Sequence, residues 1–384
     1  MKLWKKAAAA VKDKRSIYLA KVGRRRGFRN PDLEAAIIKA TSHDSSCVDY
    51  KNAQRVFNWV RTSPNFLKPL MWALTKRVEK TRNWVVALKA LMLIHGGVFC
   101  TRIPSVLKIG HLPFDLSGFC DRSSSPAKSL GHSTFVRAYY AFLELHSKLL
   151  SSYYKEEEEG EIDPSITRTI QRLHRSQALL DLLLQIKPFD DRMEVGLVRE
   201  ALDNVIIEVF DVYNGICSRI MNILAQVFST GAAPEAAEVL QILHKGASQN
   251  LQLKAYFQLC REMRVVNAAE LPAMEQVSEE DIRYLERIVK QGDSGDGDLN
   301  TDEYREQGGG GESGKMDLKE VSGTMVTDKW VVFEEEMPRD CRGASSRAGS
   351  CEGLNGFWQL HHHTKKLSLW QGSSFNDSRM SVVF

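Results

Sequence analysis

The stretch NWVVALKALMLI, residues 83–94, decides the fold class of this chain. Lys89 is the only charged residue in it, and the apolar character continues toward Phe99. A helix that is apolar on nearly every face must be surrounded by protein, because its side chains gain nothing from water. The stretch therefore predicts a buried helix with other helices packed around it.

On both sides of this stretch, apolar residues recur at spacings of three and four, which is typical of amphipathic helices. The acidic run Glu156–Glu159 is predicted to be a solvated loop between two of them. No Asn-Gly or Asp-Gly turn lies between alternating runs, so strands are not expected. Further helices are predicted from Ser63-Pro64 to about Val78, over 134–154, from Asp163-Pro164, over 195–224, from Pro234, and over 248–263. Successive helices with short connections indicate an all-α solenoid or bundle over residues 1–291.

The composition changes after Gln291. The segment Gly292–Asp298 and the run Gly308–Gly311 are rich in glycine and aspartate. Such a composition buries too little apolar surface to offset the entropy lost on ordering. We therefore predict a disordered tail over residues 292–384, with a few apolar islands.

Several features exclude classes of chemistry. The seven cysteines are odd in number and form no CxxC pair, so neither a disulfide framework nor a zinc site is expected. The fragment 309–315 fits GxxxxGK, but Met316 follows it where a phosphate-binding loop has Ser or Thr. His95-Gly96-Gly97 is similar to an oxyanion loop, yet no GxSxG element accompanies it, and His95 is interpreted as a helix-end residue. No catalytic residues, metal site or cofactor are predicted, and a non-enzyme is favoured.

Positive charge is concentrated at the start of the chain, although the net charge is only +4. Residues 1–30 hold eleven Lys or Arg and one acid, Asp13. Such a block favours an anionic partner, either a nucleic acid or a membrane. A narrow apolar face accompanies it: Leu3, Trp4, Ala7, Ala8 and Val11. This pattern predicts a short interfacial helix in which Leu3 and Trp4 insert into the membrane. No apolar stretch is long enough to span a bilayer, so the expected contact is peripheral.

Five ordered sequence blocks resemble the ANTH domain family, and in particular its plant clathrin assembly proteins. The blocks are AVKDK (10–14), NPDLEAAIIKATSHD (30–44), NWVVALK (83–89), LIHG (93–96) and FVRAY (135–139). The resemblance covers residues 1–291. It implies a superhelical all-α domain that recognises phosphatidylinositol 4,5-bisphosphate on cytosolic membranes, with a role in clathrin coat assembly and endocytosis.

The lipid motif of this family is a lysine, about ten further residues, and then Lys-x-Lys/Arg-His/Tyr. Lys39 occupies its first position, and Asp49, Lys51 and Asn52 occupy the others. Two of the four positions are thus retained. The resemblance implies lipid contacts by Lys39 and Lys51. The basic N-terminus can compensate for the incomplete motif. The expected lipid-binding residues are Lys12, Lys14, Lys39, His43 and Lys51.

The tail holds one motif, Trp330-Val331-Val332-Phe333, which is followed by Glu334–Glu336. It resembles the WVxF-acidic peptide that docks on the appendage domain of the endocytic adaptor complex. Trp330, Val331 and Phe333 are therefore expected to bind an adaptor. Large aromatic residues in a chain without a core are natural anchors for a partner's pockets. The alternative is that this segment folds back onto the helical domain as a staple.

The sequence thus predicts an endocytic clathrin adaptor that acts in the cytoplasm, at coated pits and vesicles of the plasma membrane or the Golgi. Its expected partners are a phosphoinositide membrane, clathrin and an adaptor appendage. One alternative is a SNARE cargo adaptor that uses the apolar helix over 195–224 to bind SNARE helices. Another is a basic nucleic-acid-binding protein, but no recognition fold or zinc spacing supports it, so no nucleic acid partner is expected.

Overall fold

The computed structural model describes residues 2–22, 29–96, 109–158, 165–190, 193–272 and 277–293. These ranges contain ten α-helices, together with short 3-10 turns at Pro64–Phe66 and Val266–Ala268, and no strand. The prediction of an all-α fold is confirmed. In chain order the helices are α1 Lys2–Val22, α2 Pro31–Ala40, α3 Tyr50–Thr62, α4 Leu67–Glu79, α5 Trp84–Ile94, α6 Pro126–Glu158, α7 Ile166–Gln185, α8 Gly196–Thr230, α9 Ala233–Glu262 and α10 Glu279–Asp293.

Helix α5 is the buried helix that the stretch 83–94 predicts. All eleven of its residues are buried, including Lys89, which is 1% exposed. The side chain of Asn83 caps its first turn by accepting a hydrogen bond from the Val85 amide. His95 ends the helix, as the sequence indicates.

The helices pack mainly against their neighbours in the chain, from α1 on α2 through α9 on α10. The long helix α8 also contacts α5, and α9 also contacts α7. One apolar cluster runs through these contacts. The apolar stripe of α8 belongs to it, because residues such as Val198, Val209 and Ile220 are buried.

Two predicted boundaries are wrong. Helices starting at Pro234 and over 248–263 are one continuous helix, α9. Contacts with α7 hold it together across Gly246: the side chain of Gln177 donates to the Ile242 carbonyl, and Gln249 donates back to the Gln177 carbonyl. The acidic run is predicted to be a loop, but its first three residues, 156–158, form the last turn of α6, where Glu156 pairs with arginines of α7.

Smaller differences concern helix ends. Helix α6 begins at Pro126, eight residues before the predicted start, and Pro64 opens a 3-10 turn that leads into α4. The cap of α7 is Ser165, whose hydroxyl accepts from the Arg168 amide, whereas Asp163-Pro164 lies outside the described residues. Helix α10 extends to Asp293, two residues past Gln291. The predicted tail beyond it, with the Trp330–Phe333 motif, lies outside the described residues.

Candidate functional site

The sequence that links α2 to α3, residues 41–49, is the centre of the candidate site. Four helices hold this 41–49 loop: α1 through Asp13, α4 through Arg77, α5 through Lys89 and α8 through Glu200. Each supplies a polar side chain, so hydrogen bonds and charge fix the loop in addition to the packing of Val48 against the core.

Asp13 joins α1 to the loop. Its carboxylate accepts from the backbone amide of His43 at 2.9 Å and lies 2.8 Å from Nδ1 of the His43 ring. Nη2 of Arg77 donates to the same carboxylate at 2.7 Å. Burial alone would raise the pKa of Asp13, but the hydrogen bonds from His43 and Arg77 outweigh burial and hold the pKa below its ordinary value. Asp13 is therefore a charged anchor for α1.

Arg77 also closes the C-terminal end of α2. Its Nη2 donates to the carbonyl oxygen of Thr41 at 2.8 Å, and its Nε donates to the Thr41 hydroxyl at 3.2 Å. A cation at this end of a helix satisfies an unpaired carbonyl and interacts favourably with the helix dipole.

The inner side of the loop rests on α5 and α8. Nζ of Lys89 lies 3.2 Å from the Ser42 hydroxyl, and burial lowers the pKa of Lys89 although the nearby Asp44 carboxylate opposes this. The Glu200 carboxylate accepts from the Val48 amide at 3.2 Å, and burial raises the pKa of Glu200. The Lys89 and Glu200 side chains thus order the loop from its inner side, and neither residue belongs to the family's lipid motif.

Gly196, the first residue of α8, lies against the same loop. A Cβ atom at this position would meet the carbonyl oxygen of Ser46 at 2.7 Å, which is too close for any side chain. The loop and α8 approach each other because this residue has no side chain.

Asp49 and Asn52 stand where the lipid motif has a basic residue and His or Tyr, and the structure shows their role. Asp49 is the N-cap of α3: its carboxylate accepts from the Asn52 amide at 3.2 Å and from the Asn52 side-chain amide at 2.7 Å. Capping of this kind stabilises a helix by about 1 kcal/mol. The departure from the motif thus exchanges a basic contact for a helix cap.

The four predicted lysines are all exposed. Lys39 lies in the last turn of α2 and Lys51 in the first turn of α3, so the 41–49 loop separates them. Lys12 and Lys14 flank Asp13 on α1, and Asp13 contacts the loop. The structure therefore places basic side chains on α1, α2 and α3, which are three of the helices that meet at the loop. His43 differs, since its ring is turned toward Asp13.

Helix α1 presents an apolar face away from its packed side, where Ala20 is buried. Trp4 is 84% exposed, and Val11 and Tyr18 follow it at intervals of seven residues, with Val22 one turn later. Residues at these spacings share one helix face. The sequence predicts this face only as far as Val11, and the structure extends it to the end of α1. The side chain of Leu3 lies outside the description.

Sequence reasoning missed the residues that hold the site together. Arg77 and Glu200 lie far from the loop in the chain and match no motif. Lys89 had a detectable signal, because one lysine in an otherwise apolar helix must find polar partners when it is buried. Asp13 also had a detectable signal in the sequence, because it is the only acid among residues 1–30.

Neither a metal site nor a membrane-spanning helix is found in the part of the chain that the structure describes. No three His, Cys, Asp or Glu side chains are grouped there in a way that could hold an ion. None of the helices in the same part combines the length and the apolarity that crossing a bilayer requires.

The helical fold and the ordered loop with exposed lysines around it define the class of protein, an all-α domain with a basic surface. Comparison with known proteins identifies the family. The sequence model of the ANTH domain matches residues 32–291. The chain belongs to the ANTH domain family.

The chain is similar to several Arabidopsis thaliana proteins. It is 42% identical to "Putative clathrin assembly protein At1g25240" over 89% of this chain and 90% of that protein. It is 41% identical to "Putative clathrin assembly protein At1g68110" over 88% and 89% of the two chains. Identity to "Clathrin coat assembly protein AP180" is 28%, over 74% of this chain and 49% of that protein.

Proposed function

We propose that this protein is a peripheral clathrin adaptor, which binds phosphoinositide membranes through the basic surface around the 41–49 loop and promotes clathrin coat assembly in endocytosis. The observation that carries the membrane role is the exposure of Lys12, Lys14, Lys39 and Lys51 on three helices joined to one ordered loop. The coat role is supported by the clathrin assembly relatives. The proposed place of action is the cytosolic face of coated pits and vesicles.

The energetics are sufficient for reversible docking. Each basic residue near an anionic membrane contributes about 1 kcal/mol, so four lysines contribute roughly 4 kcal/mol. Insertion of Trp4 and its apolar neighbours on α1 adds burial of apolar surface at the level of the headgroups. We assign His43 a role in positioning the 41–49 loop, since its ring is held by Asp13. The lysines are proposed to make the headgroup contacts.

The test is binding to vesicles that contain phosphatidylinositol 4,5-bisphosphate. Changing Lys39 and Lys51 to Glu, or Lys12 and Lys14 to Glu, is expected to weaken binding about 30-fold or more for each pair, because two attractive charges become repulsive. Reversing all four is expected to abolish measurable co-sedimentation. Higher salt should also weaken binding, since exposed charges are screened over about 10 Å at 0.1 M.

The matched control reverses two exposed cations of α9, Lys254 and Arg261, which changes the net charge equally. Binding of this control should stay within about twofold of the unaltered protein. If the control weakens binding as much as the lysine pairs do, only net charge matters and the proposed site is wrong. A duplex DNA shift assay in the same salt tests the nucleic-acid alternative, which predicts tighter binding to DNA than to vesicles.

The tail motif is proposed to recruit the adaptor complex. A peptide over residues 327–338 is expected to bind an adaptor appendage domain with modest affinity, because ordering a flexible segment costs entropy. Changing Trp330 or Phe333 to Ala should weaken binding about 30-fold, corresponding to about 2 kcal/mol for a hot-spot residue. Changing Glu334–Glu336 to Gln should mainly alter the salt dependence of binding.

The staple alternative predicts a different result on the same variants. If the segment folds back, Trp330→Ala lowers the melting temperature of the full chain and the isolated peptide binds nothing. Measuring both quantities on one variant separates the two roles.

The SNARE alternative loses the feature that suggested it. The apolar stripe within 195–224 belongs to α8 and is buried against α5, α7 and α9. Core packing therefore accounts for it, and SNARE binding stays a prediction without a surface assigned to it.

A further inference from the structure

A second group of basic side chains lies where the end of α6 meets α7 and α8. It consists of Arg172 and Arg175 from α7 and Arg219 from α8, together with Tyr153 and Glu156 from α6. We call these five residues the arginine cluster. It is separate from the candidate site, because Arg219 lies 19 residues after Glu200 on α8, or about 28 Å along the helix axis at 1.5 Å per residue.

Among the described residues, the carboxylate that pairs with the cluster is shared by two arginines. Oε2 of Glu156 lies 2.6 Å from Nη2 of Arg172, and Oε1 of Glu156 lies 3.4 Å from Nη1 of Arg175. The guanidinium of Arg172 also lies over the ring of Tyr153, at 5.4 Å from the centroid. One acid thus serves two arginines.

Arg219 makes no ion pair with any carboxylate among the described residues. Its Nη1 donates to the carbonyl of Gly215, one turn earlier on its own helix, at 2.9 Å. Burial lowers the pKa of Arg219, and the positive charge of Arg172 lowers it further, although the Tyr153 phenol opposes this. A desolvated guanidinium beside another cation is costly unless an anion shares it.

The arginines of the cluster also have hydrogen-bond donors that the contacts above leave unused. Each guanidinium has five N–H donors, and the contacts above use only a few of them. Nε of Arg172 is buried and has no hydrogen-bond partner within the described part of the chain. The three arginines and Glu156 together carry a net charge of about +2, from +3 and −1.

We propose that the arginine cluster is a second anion-binding site, which takes a phosphomonoester dianion. Arginine binds such a group through two parallel hydrogen bonds, and its planar fork fits phosphate better than lysine does. A dianion would balance the residual charge and supply acceptors to the unused donors of Arg172 and Arg219. The phosphomonoester can come from a soluble inositol phosphate or from a membrane phosphoinositide.

The experiment uses the full chain in which Lys12, Lys14, Lys39 and Lys51 are changed to Glu, so that the site at the 41–49 loop does not contribute. Titration with inositol hexakisphosphate is expected to raise Tm by about 3 °C at ten times Kd. Adding Arg172→Gln and Arg175→Gln should weaken binding, measured by calorimetry, about tenfold or more. If Lys254→Gln and Arg261→Gln are added instead, the affinity for inositol hexakisphosphate should stay within about twofold of that of the four-lysine variant.

Arg219→Met gives a readout that a purely structural arginine would not give. Removal of a poorly paired, desolvated cation should leave Tm unchanged or higher without ligand, yet reduce the rise in Tm that the ligand causes. A structural role predicts a lower Tm without ligand and an unchanged ligand response, which would overturn the proposal.

Vesicles distinguish the source of the phosphomonoester. In the otherwise unaltered chain, Arg172→Gln with Arg175→Gln weakens binding to phosphatidylinositol 4,5-bisphosphate vesicles if the source is a lipid, and leaves it unchanged if the source is soluble. Absence of any response to inositol hexakisphosphate overturns the proposal. The four lysine changes do not touch the arginine cluster, so this failure is distinct from failure of the proposed function.

Discussion

Changing Asp13 to Ala is expected to lower the free energy of unfolding by about 2–3 kcal/mol at neutral pH. The reason is that the mostly buried guanidinium of Arg77 loses its carboxylate partner. The Asp13 side chain is 14% exposed and binds both the His43 amide and Arg77. The same change should detach α1 from the 41–49 loop. Urea unfolding measures the first effect, and amide hydrogen exchange along α1 measures the second.

The effect should depend on pH with a definite sign. The pKa of Asp13 is lower in the folded protein than its ordinary value, so its charged form stabilises the fold above the unfolded pKa of about 3.9. That contribution is lost as the pH falls through the folded value. The difference in stability between the unaltered protein and Asp13→Ala should therefore be constant from about pH 5 to 7 and shrink below about pH 4.

Asp32→Ala is the control for Asp13→Ala, because Asp32 is an exposed carboxylate in the first turn of α2. It should change the free energy of unfolding by about 0.5 kcal/mol or less. An Asp13→Ala variant as stable as this control would show that the Asp13 contacts do not anchor α1.

Changing Glu208 to Ala is expected to lower the free energy of unfolding by about 2–3 kcal/mol, because it removes the buried carboxylate that accepts a hydrogen bond from the histidine at the end of α5. Its Oε1 lies 3.2 Å from Nε2 of His95, and both side chains are almost fully buried. Nδ1 of His95 lies 2.7 Å from the hydroxyl of Tyr139 on α6. A neutral ring that donates from Nε2 to Glu208 can accept at Nδ1 from Tyr139, which links α5, α6 and α8.

Glu238→Ala on the exposed face of α9 is the control for Glu208→Ala and should change the free energy of unfolding by about 0.5 kcal/mol or less. Denaturant unfolding of the two variants decides the matter. A loss below about 1 kcal/mol for Glu208→Ala would mean that the surrounding helices repack around the gap or that water hydrates His95.

These anchors bear on the proposed membrane role. Lys39 and Lys51 are useful for binding a headgroup only if the loop between them keeps one conformation, since a mobile loop would lose entropy on binding. Asp13, Arg77, Lys89 and Glu200 supply that order from outside the lipid motif. The incomplete motif is thus combined with a loop that is ordered before any ligand arrives.

The sequence predicted the helices with the strongest patterns and failed where tertiary contacts decide. The stretch 83–94 is apolar all round, and no structure other than a buried helix suits it in a chain without strand patterns. The sequence predicts separate helices from Pro234 and over 248–263, but the reciprocal bonds of Gln177 and Gln249 join them across Gly246 and outweigh the poor helix propensity of glycine. Four consecutive acids suggested a solvated loop, but arginines of α7 draw Glu156 into the end of α6.

The same division holds for the candidate site. By itself, the sequence determined the fold class, the family and the exposed lysines, because helix periodicity and local motifs are properties of neighbouring residues. Only the tertiary structure decided that His43 faces Asp13, that Asp49 caps α3, and that two arginines of α7 share one carboxylate. Those outcomes depend on which side chains of distant helices come within hydrogen-bonding distance, and packing of the whole domain sets those distances.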